Sequence, residues 1–86
     1  MRFYIYILLG GDKKFYIGYT TNLKQQLIQH SKGEVRSTKN RRYLKLIHYE
    51  YFISKKDAKA REIYLKSGAG HDQLKKFLKN TLAWVF

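Results

Sequence analysis

Residues 3 to 9, Phe3-Tyr4-Ile5-Tyr6-Ile7-Leu8-Leu9, form an unbroken run of aromatic and aliphatic side chains, and residues 15 to 19 form a second. Such residues pack well on a pleated, half-buried surface, so both runs read as strands. The Gly10-Gly11-Asp12-Lys13-Lys14 between them has turn chemistry of hairpin length, which predicts an N-terminal β-hairpin. Thr20, Thr21 and Asn22 then offer N-cap oxygens ahead of Leu23, Leu27 and Ile28 at helical spacing, and Gly33 is a natural stop. A short helix over about residues 22–31 is expected.

Residues 34–43 are polar, carry Arg36, Lys39, Arg41 and Arg42, and read as a mobile basic loop. From Leu44 to Ile53 the chain is rich in Leu, Ile, Tyr and Phe without a breaker, which predicts a central strand with both faces partly covered. Ser54-Lys55-Lys56-Asp57 matches a capping box, and Ala58, Ile63, Tyr64 and Leu65 carry a helix to about Ser67. Gly68-Ala69-Gly70 reads as a break. Leu74, Phe77, Leu78 and Leu82 give the stripe of a last helix beginning near His71 or Asp72. The predicted order is β-β-α-β-α-α. Three strands bury too little area alone, so the expected class is α+β, a three-stranded, mostly antiparallel sheet flanked by helices.

Composition narrows the picture. The chain of 86 residues suits one domain, 1–86, around one core, and 44% apolar with 16% aromatic residues is enough to pack it. Eighteen Lys and Arg against six Asp and Glu give a formal charge of +12, spread along the whole chain. A folded surface of this kind attracts polyanions, nucleic acid above all, because each neutralised phosphate releases condensed counterions. Membrane is the lesser partner, since no long amphipathic basic helix stands apart from the fold. Cysteine is absent, which removes disulfides and thiolate metal sites. The apolar run after Arg2 is at the short limit of a signal-peptide core and lacks a small-x-small cleavage site, and no stretch approaches the ~20 apolar residues of a membrane span, so a cytoplasmic protein is expected.

Several residues exceed what the fold needs. Tyr6 and Tyr16 fall on the two strands of the hairpin, and Gly18 lies two positions beyond Tyr16 on the same face. A glycine in a strand interior weakens it unless a ligand or another backbone comes close. Asn22, Gln26 and His30, spaced by four, share one face of the first helix, directed at the rim of the hairpin. Glu62 stands between Ala58 and Leu65 in the apolar stripe of the second helix. Burying that carboxylate alone is expensive, so it must meet a base or a bound cation.

Taken together, Tyr4-Ile5-Tyr6 and Tyr16-Ile17-Gly18 resemble the signature of the GIY-YIG nucleases, such as the N-terminal domain of bacterial excision-repair nucleases. Tyr4 departs from the name-giving glycine. The Asn22 to His30 segment resembles the family's Asn-Leu-x-x-Arg-Leu-x-x-His, and Glu62 its acidic metal-binding position. The resemblance spans nearly the whole chain and implies a β-β-α-β-α-α domain with phosphodiesterase chemistry. It implies Tyr6 as general base assisted by His30, Tyr16 positioning water or phosphate, and Glu62 holding one divalent ion, Mg²⁺ or Mn²⁺. Such hard ions take oxygen ligands, and Mg²⁺ keeps most of its waters. A tyrosine is a poor base at its ordinary pKa, so nearby cationic charge is expected to favour the Tyr6 phenolate.

Gln26 stands where the family has Arg. An amide donates a hydrogen bond but brings no charge and no bidentate fork, and losing one pre-organised stabiliser typically costs ~10²–10³ in rate. Two readings follow: a metal-dependent DNA endonuclease weakened at Gln26, or a nucleic-acid-binding module that kept the scaffold without turnover. An RNA-binding, ribosome-associated protein of similar charge would leave Glu62 and the Tyr-Gly pattern unexplained. The expected partner is branched, damaged or single-stranded DNA read with low sequence specificity, contacted at Gly18 in the notch and at Arg36, Lys39, Arg41 and Arg42 in the loop.

Overall fold

The computed structural model describes residues 1–41 and 43–85. In chain order the elements are β1 (Phe3–Leu9), β2 (Phe15–Thr20), α1 (Leu23–Ser31), β3 (Lys45–Phe52), α2 (Lys55–Lys66), α3 (Gly68–Phe77) and α4 (Lys79–Trp84). Among the described residues no helix is long and apolar enough to cross a membrane.

The sheet runs β2-β1-β3 with both pairs antiparallel. The hairpin forms as expected, closed by the Lys13 N–H on the Gly10 carbonyl (2.9 Å) and the Gly10 N–H on the Lys14 carbonyl (3.0 Å). The third strand, expected at the centre, is an edge strand, and β1 is central. Their burial explains the difference. Ile5 through Leu9 are all buried, as a strand with neighbours on both sides and cover on both faces should be. In β3 the breaker-free run includes Tyr49 and Tyr51, whose polar hydroxyls let the rings face water, and both are exposed.

Alternation along the strands separates two faces. One carries Ile5, Ile7 and Ile17, which pack with Ala58, Leu65, Leu74 and Leu78 from the later helices into the main core. Fully burying a side chain such as Leu65 or Leu74 contributes about 1.5–3 kcal/mol. The other face carries Tyr6, opposite Gly18 in the β1–β2 register, and Tyr16, opposite Leu8. Here α1 is laid down, begun by the Asn22 side chain accepting from the Gln25 N–H (3.1 Å).

Beyond β3, Ser54 caps α2 through the Asp57 N–H, in keeping with the capping box. The Gly68-Ala69-Gly70 segment, expected to break the chain, instead opens α3. Ser67 ends α2 and also caps α3, its hydroxyl accepting from the Gly70 N–H (3.1 Å). Gly70 is needed for close approach: a Cβ there would collide with the backbone of Tyr64 and Leu65. His71 Nδ1 donates to the Leu65 carbonyl (2.9 Å) and fastens the corner. The single last helix expected from the stripe is two, because the backbone turns at Leu78 (φ −102°, ψ 22°) before α4. The order is therefore β-β-α-β-α-α-α.

Candidate active site

Tyr6 is 1% exposed, with its hydroxyl 2.8 Å from His30 Nε2. On the other side of the imidazole, Nδ1 lies 2.7 Å from Thr38 Oγ1. Burial holds the His30 pKa below the ordinary value and leaves the ring neutral near pH 7. Burial also pushes the Tyr6 phenol far up, reinforced by the Tyr16 hydroxyl and the Glu62 charge. Those directions assign the protons: Tyr6 O–H donates to Nε2, and Nδ1–H donates to Thr38. The Thr38 hydroxyl faces the Val35 carbonyl at 3.5 Å, which completes a line from strand to helix to loop.

The expectation of a Tyr6 phenolate favoured by nearby cations is overturned for the free protein. The groups that raise the Tyr6 pKa are burial, a second phenol and a carboxylate, and among side chains the Gln26 amide lowers it. Gln26 thus reaches the site from the helix face predicted for it, whereas Asn22 on the same face is the helix cap. Tyr16 closes the group, its ring centroid 6.1 Å from Tyr6 and 5.0 Å from His30. Gly18 explains itself: a methyl there would overlap the Tyr6 ring, so the tyrosine leans across the glycine.

Glu62 comes from α2, which packs on the opposite face of the sheet, and its charge is felt at Tyr6. Its side chain is 14% exposed and meets two bases of its own helix, Lys59 Nζ at 3.2 Å on Oε1 and Lys66 Nζ at 2.9 Å on Oε2. Burial raises its pKa, but the hydrogen bonds from Lys66 and Lys59 outweigh that and hold the carboxyl below its ordinary value. Arg61 takes no part; it binds Glu50 through two bonds of 2.9 and 3.0 Å. Among the described residues no three His, Cys, Asp or Glu side chains gather as a metal site. Glu62 carries oxygens of the type a hard divalent ion takes, and Lys59 and Lys66 occupy both of them.

The basic loop is more ordered than its composition suggests. Thr38 is buried within it, and Thr38 N–H to Val35 O (3.0 Å) and Arg41 N–H to Thr38 O (2.9 Å) shape the turns. Arg41 does not project freely: it donates to the Lys14 carbonyl (2.7 Å) and pairs with Asp12 (3.3 Å), so it ties the loop to the hairpin turn. Arg36 and Lys39 are exposed, and Arg42 lies outside the described residues. Thr38 is the site residue that sequence reasoning missed. One hydroxyl in a polar loop has no periodicity to mark it, and only the need of a buried His for a second partner points there.

Residues 2–76 match the family model of the GIY-YIG catalytic domain. The UPF0213 protein in the ldhD 5′ region of Pediococcus acidilactici is 38% identical over 81 residues, 91% of this chain and 82% of that protein. A UPF0213 protein of Clostridium perfringens is 38% identical over 64 residues, 73% of this chain and 69% of its own. The solution NMR structure of the UPF0213 protein from Bacillus halodurans superposes with a TM-score of 0.59 at 31% identity, covering 90% of this chain and 85% of that one. The three-stranded sheet with its helices is therefore a shared architecture, and the chain belongs to the GIY-YIG family, a family of nucleases.

Proposed function

We propose that the protein is a metal-dependent endonuclease that hydrolyses DNA phosphodiester bonds, with turnover reduced by Gln26. The observation that supports it most is the hydrogen-bonded line from Tyr6 through His30 to Thr38, with Tyr16 packed against it. A phenol bound to a neutral imidazole has somewhere to send its proton: Tyr6 passes it to His30 Nε2 as it takes one from the attacking water. Thr38 holds the Nδ1–H so that Nε2 stays free to accept. Tyr16 orients water or phosphate. Gln26 offers the phosphate a hydrogen bond without charge. A single Mg²⁺ or Mn²⁺ held by Glu62 would stabilise negative charge on the scissile phosphate, and Lys59 and Lys66 must turn aside to admit it.

The DNA substrate class rests on the charge of +12, and branched, damaged or single-stranded forms suit a domain this small. The test is nicking of a panel of such substrates with and without Mg²⁺ or Mn²⁺, beside Tyr6→Phe and Glu62→Ala. Metal-dependent nicking that vanishes in both variants supports the reading. A second reading, a binding module without turnover, is favoured by one feature, the occupation of both Glu62 oxygens by lysines. DNA binding without nicking under every metal would make it the better one.

A further inference from the structure

We propose that Tyr4, Tyr49 and Tyr51 form a stacking platform for the unpaired bases of single-stranded DNA. The proposal rests on the DNA-nuclease reading and specifies the form of DNA that the domain engages. In the β1–β3 register Tyr4 lies opposite Tyr51 and Tyr6 opposite Tyr49, so the three tyrosines share the sheet face of Tyr6. The core helices pack on the other face, and Tyr49 and Tyr51 are each left 53% exposed. Tyr4 sits between them, its ring centroid 6.2 Å from Tyr49 and 6.3 Å from Tyr51, tilted by 56° to both. Rings tilted in this way do not cover one another's faces.

Charge complements the rings. The Arg2 guanidinium lies 5.2 Å from the centre of the Tyr51 ring, and Lys24 lines the hollow beside Tyr4 with Thr21, Asn22, Leu23 and Leu27. Among the described residues that lining holds no acidic side chain. Glu50, between the two exposed tyrosines in sequence, is turned to Arg61 and His48. Residues two apart on a strand are about 7 Å apart, which offers successive bases separate rings. A duplex presents only base edges in its grooves, whereas unpaired bases present π-faces that stack on aromatic side chains irrespective of sequence.

The test is titration of the full chain, in EDTA, into a short single-stranded oligodeoxynucleotide carrying 2-aminopurine, whose fluorescence falls on stacking. Tyr49→Thr with Tyr51→Thr keeps good strand formers and removes the rings, and Tyr49→Phe with Tyr51→Phe keeps the rings. The Thr pair is expected to lose the quenching and to weaken binding by roughly 5- to 150-fold per base unstacked, with the Phe pair near the parent. Affinity for the matching duplex should change little in either, and thermal unfolding verifies that both variants fold. Unchanged single-strand affinity in the Thr pair, an equal loss in the Phe pair, or tighter binding of duplex than of single strand in the parent would overturn the platform. Nicking does not enter this assay, so failure of the nuclease reading leaves the result legible, and persistent nicking with an unaffected Thr pair removes the platform alone.

Discussion

The Tyr6 hydroxyl and His30 Nε2 lie 2.8 Å apart, although 24 residues separate them in the chain, and neither is charged near neutral pH. Burial of the pair makes its stability depend on pH in both directions. His30 has a folded pKa below its ordinary 6.5, so the stability of its neutral form is complete above about pH 6.5 and is lost as pH falls toward the folded value. Tyr6 has a folded pKa above 10.0, so its contribution is complete below about pH 10 and lost as pH rises further. Urea unfolding across pH should show both limbs, with His30→Gln removing the acidic one and Tyr6→Phe the alkaline one. Glu50 and Glu62, both lowered from 4.5, add a separate loss only below that value.

Thr38→Val keeps the shape of the side chain and removes the acceptor of the His30 Nδ1–H. A buried donor left without a partner costs about 1–3 kcal/mol, to be seen in the unfolding midpoint. The imidazole is then also free to change tautomer, so ring nitrogen shifts measured by NMR should report a mixture. A single unchanged tautomer would remove Thr38 from the proton line.

Gln26→Arg is expected to raise single-turnover nicking in Mg²⁺ or Mn²⁺ by about 10²–10³, since charge beside the Tyr6 hydroxyl acts mainly in the transition state. DNA affinity should rise far less. Adding Glu62→Ala should abolish the gain, and a gain that persists would place the metal elsewhere.

The basic side chains of the loop should separate by salt dependence. Alanine at Arg36 and Lys39, both exposed, should flatten the slope of log affinity against log salt, by up to about 0.9 for each duplex phosphate that is no longer neutralised. Arg41→Ala should leave the slope nearly unchanged and lower the melting temperature, because that side chain holds the hairpin turn.

Gly18→Ala should displace the Tyr6 ring. Overpacking of this kind costs about 1–3 kcal/mol, and the Tyr6–His30 bond should break with it. Retention of wild-type stability and of the His30 ring shifts would mean that the strands absorb the methyl.

Much of this was legible in the sequence because each element has a local cause. The hairpin followed from the composition of its turn, α1 from Asn22, and α2 from Ser54, and the structure places Tyr6, Tyr16 and Gly18 on one face as the alternation required. What escaped depends on neighbours distant in sequence. The edge position of β3 is decided by which strand the hairpin leaves available, and composition read as partly covered on both faces a strand whose Tyr49 and Tyr51 are exposed. Gly70 looked like a break because the need for its missing side chain lies in α2. Thr38 is a partner chosen by proximity, for which a linear pattern has no signature, whereas Lys59 and Lys66 stand three and four positions from Glu62 on α2, a pairing that helical spacing does signal.

The central position of β1 also sets where the molecule can give way. A strand hydrogen-bonded on both sides exchanges its amide protons only in the widest openings of a domain, so the backbone at Tyr6 should be among the slowest to exchange with deuterium. The Tyr6 phenol is thus mounted on the strand held from both sides. On the proposed function, an adjustment that admits a phosphate is expected in α1 and the segment around Thr38, and the exchange rates of those amides, compared with and without DNA, would measure its cost.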